Sequence, residues 1–195
     1  MKLPIAPASP PPSARSVLKE IPNLPPVPST PVLMITPPSI FLLDERVFVS
    51  LGILKVAAML EKHGAKVEHL DLSGIENFED VAAIAASSSK AMHVCMTATT
   101  PQLPAAVKIV QRIRDVRPDM RVILGGPHVT LCHAAAKLEV KQGRVARGIR
   151  AMEKLHGLFD ILVAGDGEIA VFHALQPGAR MMIDADDPSN GMFMS

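Results

Sequence analysis

Apolar positions between residues 32 and 175 alternate between short unbroken runs and longer segments of helical period, and this alternation is the chain's first structural signal. VLMIT at 32–36, KVEHLDL at 66–72, MHVCMT at 92–97, RVIL at 121–124 and DILVA at 160–164 read as strands. Between them, residues 51–63, 78–88 and 102–117 read as helices. In the third, Ala106, Ile109, Val110, Ile113 and Val116 share one face and Lys108, Gln111, Arg112 and Asp115 the other, so one side packs on a sheet. Gly64 stands where a helix ends, and Thr99 or Thr100 caps the third helix with Pro101 in its first turn. A fourth helix is expected over 129–138, a short last one over 169–175, and residues 180–183 offer an edge strand. Five such alternations predict an α/β fold, a doubly wound, five-stranded parallel sheet with right-handed crossovers.

The flanks have a different texture. Residues 1–31 hold ten of the eighteen prolines, a density that forbids helix and denies ladder donors. A polyproline-like or disordered leader is expected there, a plain tail or else a docking motif for a proline-reading domain. The α/β domain is assigned to 32–176, and 177–195 to an extension that starts a linker toward a further domain. Within 139–157, Lys141, Arg144, Arg147, Arg150 and Lys154 recur at helical spacing opposite Val145, Ile149 and Met152. That stripe is a solvated helix face or a contact for phosphate or an acidic partner.

Composition narrows the function classes. Twenty basic against nineteen acidic residues leave a net charge of +1, which gives no field for nucleic acid or an anionic membrane. With six Phe and no Trp or Tyr, the stacking platforms of single-strand binders are missing. Cys95 and Cys132 form neither a disulfide framework nor a CxxC metal site and read as buried thiols of a reducing compartment. No run approaches the roughly 18 apolar residues of a spanning helix, so the cytoplasm is the expected location. Neither GxGxxG after the first strand nor a P-loop occurs, and nicotinamide and ATP readings lack their mechanical parts.

In a doubly wound sheet, ligands bind at the carboxyl ends of the strands. The loops placed there carry Thr36 and Pro37; Thr97, Thr99, Thr100, Pro101 and Gln102; Gly125, Gly126, Pro127, His128 and Val129; and Gly165, Asp166, Gly167 and Glu168. Asp44, Glu45 and Arg46 sit in a long first loop, as a solvated charged stretch or as part of the site. Rich in Gly, Pro and Thr and poor in paired acids and bases, these loops suit binding rather than catalysis, and no catalytic residue is assigned. Equally, glycine and proline there simply end strands, and Asp166 or Glu168 simply caps a helix. His128 is placed to bond a ligand or backbone, whereas a metal role lacks partners. His93, inside a strand, reads as a satisfied sheet histidine, and the remaining histidines show no ligand spacing.

VLMITPP at 32–38, SLGILKVAAMLEKHGAKVEHLDL at 50–72, TATTPQ at 97–102, ILGGPHVT at 123–130 and FDILVAGDGE at 159–168 together resemble the cobalamin-binding domain found at the N-terminus of many radical S-adenosylmethionine enzymes. The resemblance implies a flavodoxin-like, Rossmann-type sheet of strand order 2-1-3-4-5 with the corrinoid, and hence its metal, across the C-terminal rim. It implies that Gly125 and Gly126 admit the corrin or its nucleotide tail, that residues 97–102 supply donors, and that 44–50 border the cobalt. Replacing Gly126 by leucine is then expected to abolish binding and spare the sheet. Methionine-synthase-type domains carry Asp-x-His-x-x-Gly after the first strand; here Asp44-Glu45-Arg46 offers no histidine, which implies cobalamin without a protein histidine as lower ligand. The family's CxxxCxxC motif is absent and two cysteines cannot ligate an iron-sulfur cluster, so a catalytic domain is expected as a partner in cis or trans, with this chain alone not catalytic. The rival readings are a cofactor-free flavodoxin-like interaction domain, docking through the leader or the basic stripe, and a small-nucleotide binder.

Overall fold

The computed structural model describes residues 24–39 and 50–187. Strands β1 (Val32–Thr36), β2 (Val67–Asp71), β3 (His93–Thr97), β4 (Arg121–Gly125), β5 (Ile161–Ala164) and β6 (Met182–Asp184) alternate with helices α1 (Leu51–Lys62), α2 (Phe78–Ser88), α3 (Leu103–Val116), α4 (Pro127–Lys141), α5 (Arg147–Leu158) and α6 (Gly167–Ala174). All pairings are parallel and the order is β2-β1-β3-β4-β5-β6. The sheet therefore holds six strands, one more than the sequence pattern predicts. The three-residue β6 falls on the 180–183 edge strand and carries the sheet past residue 176. Three residues, one of them Asp184, are too few for periodicity to separate a strand from a loop.

Because side chains alternate across a strand, each strand feeds two cores. Leu33, Ile35, Val94, Met96, Val122, Leu124 and Leu162 lie in the core shared with α2, α3, α4 and α5. Val32, Met34, Cys95, Ile123, Ile161 and Val163 lie in the other, shared with α1 and α6. Burial on both faces explains why β1 reads as a continuous apolar run, whereas β2, at the sheet edge, is nowhere fully buried and carries charged residues.

Residues 24–31, the described part of the proline-rich leader, lie against the domain. Leu24 and Val27 pack on the α1/α6 core, and Gln176 Nε2 donates to the Pro26 carbonyl at 2.9 Å. Gln176 in turn accepts from Arg121 Nη1 on its carbonyl at 2.8 Å, which places this segment at the N-terminal ends of the strands. A proline-rich stretch needs no ladder to be ordered when its few apolar side chains find a core.

The basic stripe is not one helix. Helix α4 ends at Lys141, the chain turns at Gly143 with φ +65°, and α5 starts at Arg147. Arg144 and Val145 fall in the turn, and Val145 is 65% exposed. The reversal is held by Glu139, whose buried carboxylate accepts N–H bonds from Ala146 at 3.1 Å, Gly148 at 2.8 Å and Ile149 at 2.9 Å. It serves as the cap that α5 lacks in its own sequence, satisfying orphan donors of the first turn. Gly148 lets the two helices close, since a Cβ there would lie 2.6 Å from the Ala136 nitrogen.

Smaller departures concern single side chains. Val116, expected in the α3 core face, is 36% exposed, because the helix ends at that residue. Cys95 is buried but Cys132 only partly so. His93 is not satisfied: its Nδ1 is buried without a hydrogen-bond partner among the described residues.

The N–H groups of Ile149 and Gly148 hold the Glu139 carboxyl below the usual glutamate range, against the opposing effect of its burial. A depressed folded value stabilises the fold above the unfolded pKa of ~4.3 and loses that contribution as pH falls through the folded value. Glu139→Gln is therefore expected to be less stable than wild type in urea unfolding at pH 7. The difference should shrink progressively in melts taken below pH ~4.3, as the pH falls through the depressed folded value and the carboxyl becomes neutral.

Candidate functional site

At the C-terminal ends of the strands, on the face covered by α1 and α6, lies a cavity of about 630 Å³. That volume falls within the roughly 300–1,000 Å³ of small-molecule sites. Its floor follows from strand parity: Met34 of β1, Cys95 of β3, Ile123 of β4 and Val163 of β5 all point to this side. Ile53 and Val56 of α1 and Val171 of α6 make the apolar walls. Burial pushes the Cys95 thiol up to about 12, so it stays protonated and the floor carries no charge.

Polar groups gather at the mouth. Of the residues expected on the rim, Thr97, Thr99, Gln102, Gly125, Gly126, Pro127, Gly165, Asp166, Gly167 and Glu168 line the cavity. Thr36, Pro37, Thr100, Pro101, His128 and Val129 do not. Thr36 is buried and shares a 3.1 Å hydrogen bond with His69 of β2. Asp44, Glu45 and Arg46 lie outside the described residues. Pattern reading missed the floor, because Met34, Cys95, Ile123 and Val163 are indistinguishable in sequence from ordinary sheet core. It also passed over Lys55 and Asp186, which line the cavity together with Ser50 and Thr130.

The loops forming the mouth are tied to one another rather than free. Gln102 Oε1 accepts from the Thr99 N–H at 3.0 Å and the Thr99 hydroxyl at 2.9 Å, closing a capping box on the 3-10 turn Thr100–Gln102. Gln102 Nε2 donates to the Pro37 carbonyl at 2.8 Å, joining the exits of β1 and β3. The Thr130 hydroxyl donates to the Gly126 carbonyl at 3.2 Å and accepts the Gly165 N–H at 3.0 Å, joining the exits of β4 and β5. Lys55 of α1 and the buried Glu168 of α6 form an ion pair across the two helices that wall the cavity.

His128 belongs to this tying set. Its Nδ1 shares a 3.0 Å hydrogen bond with the Thr100 hydroxyl, the Cys132 thiol lies 3.6 Å from its Nε2, and its backbone N–H donates to the Ala98 carbonyl at 3.0 Å. Partial burial lowers its pKa, which favours the neutral ring that this arrangement uses. No histidine lines the cavity among the described residues, and no cluster of three or more His, Cys, Asp or Glu there could hold a metal ion.

The two adjacent glycines have different duties. Gly126 has φ +96° and ψ −178°, a region open essentially to glycine, and a Cβ there would lie 2.5 Å from Thr97 Oγ1 and 2.9 Å from the Ala98 nitrogen. Its role is to let the β3 and β4 exits meet, so the expectation that leucine at 126 would spare the sheet is not supported. Gly125 shares the floor-facing side of β4 with Ile123, and a Cβ there meets only Val163 atoms at 3.7 and 3.8 Å. The ligand-side glycine is Gly125.

With this geometry, a B12-binding domain family model matches residues 45–156, more than half of the chain. The chain belongs to the B12-binding domain family. Among solved structures it is similar to the radical S-adenosylmethionine methyltransferase TsrM from Kitasatospora setae, at 20% identity and a TM-score of 0.43. The similarity covers 50% of this chain and 19% of that one, so the chain spans about a fifth of the enzyme's length. No curated protein matches the chain. No described helix is long and apolar enough to cross a membrane.

Gly126→Ala is expected to lose ~1–3 kcal/mol in chemical unfolding, because it forces an L residue into a glycine region against backbone. Gly125→Ala should stay within ~0.5 kcal/mol of wild type. Equal losses at both positions would show that the two glycines share one structural role.

Proposed function

We propose that the chain is a corrinoid-binding module that holds cobalamin at the C-terminal rim of its sheet. One observation carries this reading. A family member's rim opens into a cavity whose floor is apolar and uncharged and whose mouth is built of glycines, hydroxyls and tied backbone. The donor set suits the group, since a corrinoid presents a broad face edged with amides and a single long nucleotide tail. Gly125 allows close approach of backbone, Thr97 offers a hydroxyl, and Lys55 is a cation lining the cavity. Bound cobalamin would supply a cobalt atom able to carry and release an alkyl group. Within the chain, the Gln102, Thr130 and Lys55–Glu168 ties fix the mouth before any ligand arrives, which limits the ordering cost of binding.

No protein histidine is assigned to the cobalt. His128 has both ring nitrogens engaged away from the cavity, and Asp44, Glu45 and Arg46 keep only the bordering role implied by sequence. The sequence resemblance further supports a radical S-adenosylmethionine catalytic domain as partner, in cis or trans, with the cytoplasm as location. A cofactor-free interaction domain would use none of this cavity.

Hydroxocobalamin titrated into the chain should shift its absorption spectrum at saturation and raise the melting midpoint, with FMN and ATP giving no rise. Unchanged spectra and midpoints with cobalamin would overturn the reading. Gly125→Leu, which drives a side chain over the floor, should remain folded by circular dichroism and lose at least tenfold in cobalamin affinity. His128→Ala should leave the spectrum of the bound cofactor unchanged.

A further inference from the structure

Lys55, Lys108, Arg112, Arg114 and Lys137 each reach a carboxylate on another element, so these cations tie the helices together. The turn from α4 into α5 is different. Residues 141–154 hold five cations, Lys141, Arg144, Arg147, Arg150 and Lys154, and a single acid, Glu153. All five cations are exposed, and none forms an ion pair among the described residues. Arg147, Arg150 and Lys154 stand at i, i+3 and i+7 on α5, on the side away from Met152 and Leu155, which face the core. None of the five lines the 630 Å³ cavity, so this surface is independent of what that cavity binds.

The placement of these charges works against the helix that carries them. Arg147 is the first residue of α5, Arg150 follows within a turn, and no acid stands in the first turn. Positive charge there opposes the helix macrodipole, and only Glu139, borrowed from α4, answers it. A local rule broken with no gain inside the chain marks a surface that is used from outside. Beside the cations, Val140 and Val145 bracket the turn at 68% and 65% exposed. We infer that the outer face of the α4–α5 hairpin docks an acidic, partly apolar segment of a partner protein. Its carboxylates meet Arg147, Arg150 and Lys154, and its apolar side chains cover Val140 and Val145. Guanidinium groups take carboxylates in a two-pronged bond, and arginine is enriched among the residues that carry protein interfaces. A nucleic acid would leave the valines bare, and residues 127–158 hold no Phe, Tyr or Trp on which a base could stack. A bilayer would need an apolar helix face to enter it, and α5 turns that face inward.

The full chain is titrated with four probes: an amphipathic glutamate–leucine peptide, a glutamate–glycine peptide of equal charge, a single-stranded oligonucleotide and phosphatidylserine vesicles. The glutamate–leucine peptide should bind tightest, and its affinity should fall as salt is raised. Arg147→Glu with Arg150→Glu should weaken that binding at least tenfold. The same double variant should melt no lower than wild type, because acids suit the start of a helix. Lys90→Glu with Arg180→Glu, an equal change of net charge elsewhere on the surface, should leave the peptide affinity unchanged. Equal loss in both double variants, or none in the first, overturns the assignment of the surface. Tighter binding of the oligonucleotide or the vesicles than of either peptide overturns the protein partner in favour of phosphate. Concentration-dependent self-association of the chain in sedimentation, abolished by the first double variant, would overturn it in favour of a second copy.

Discussion

Two helices set against a six-stranded sheet are the constraint from which the rest follows. On the opposite face four helices share the covering, but on this face α1 and α6 alone pack against the strands. A sheet face left bare would expose the hydrocarbon of every second residue, so something must close it. At the N-terminal ends of the strands residues 24–31 do so, with Leu24 and Val27 inserted against the same core. At the C-terminal ends nothing among the described residues does, and the cavity is the uncovered remainder.

An opening of that kind keeps its shape only if its edges are held. Each tie at the mouth joins elements far apart in sequence: Gln102 to Pro37, His128 to Thr100, Thr130 to Gly165 and Lys55 to Glu168. Individually these are ordinary hydrogen bonds or a half-exposed ion pair, each worth little net stability. Together they fix the exits of β1, β3, β4 and β5 relative to one another, which is a geometric rather than an energetic service. The same economy appears at the α4–α5 reversal, where one buried carboxylate caps a helix from a different element.

Several residues that look functional in sequence turn out to serve the frame. Gly126 stands at the centre of GGPH, yet its glycine is required by the meeting of two loops. His128, the best-placed histidine on paper, is consumed by Thr100 and Cys132. Conversely, Cys95 and Val163 look like plain core and form the floor. Which role a residue plays depended on the face of the strand it occupies and on what covers that face.

Whereas the order of the strands was implied only by the family resemblance, the sequence by itself determined the parallel α/β class and the rim where the loops converge. Those features are written in local periods, in turn residues and in the handedness of crossovers, all of which act within a few dozen residues. In the sequence, Met34, Cys95, Ile123 and Val163 read only as residues of buried strands. Only the tertiary structure decided that their side of the sheet is the one short of helices, that residues 24–31 cover one end of it, and that the edge strand offered over 180–183 pairs with β5 as β6. Coverage of a sheet face depends on the packing of elements distant in the chain, and no local pattern records it.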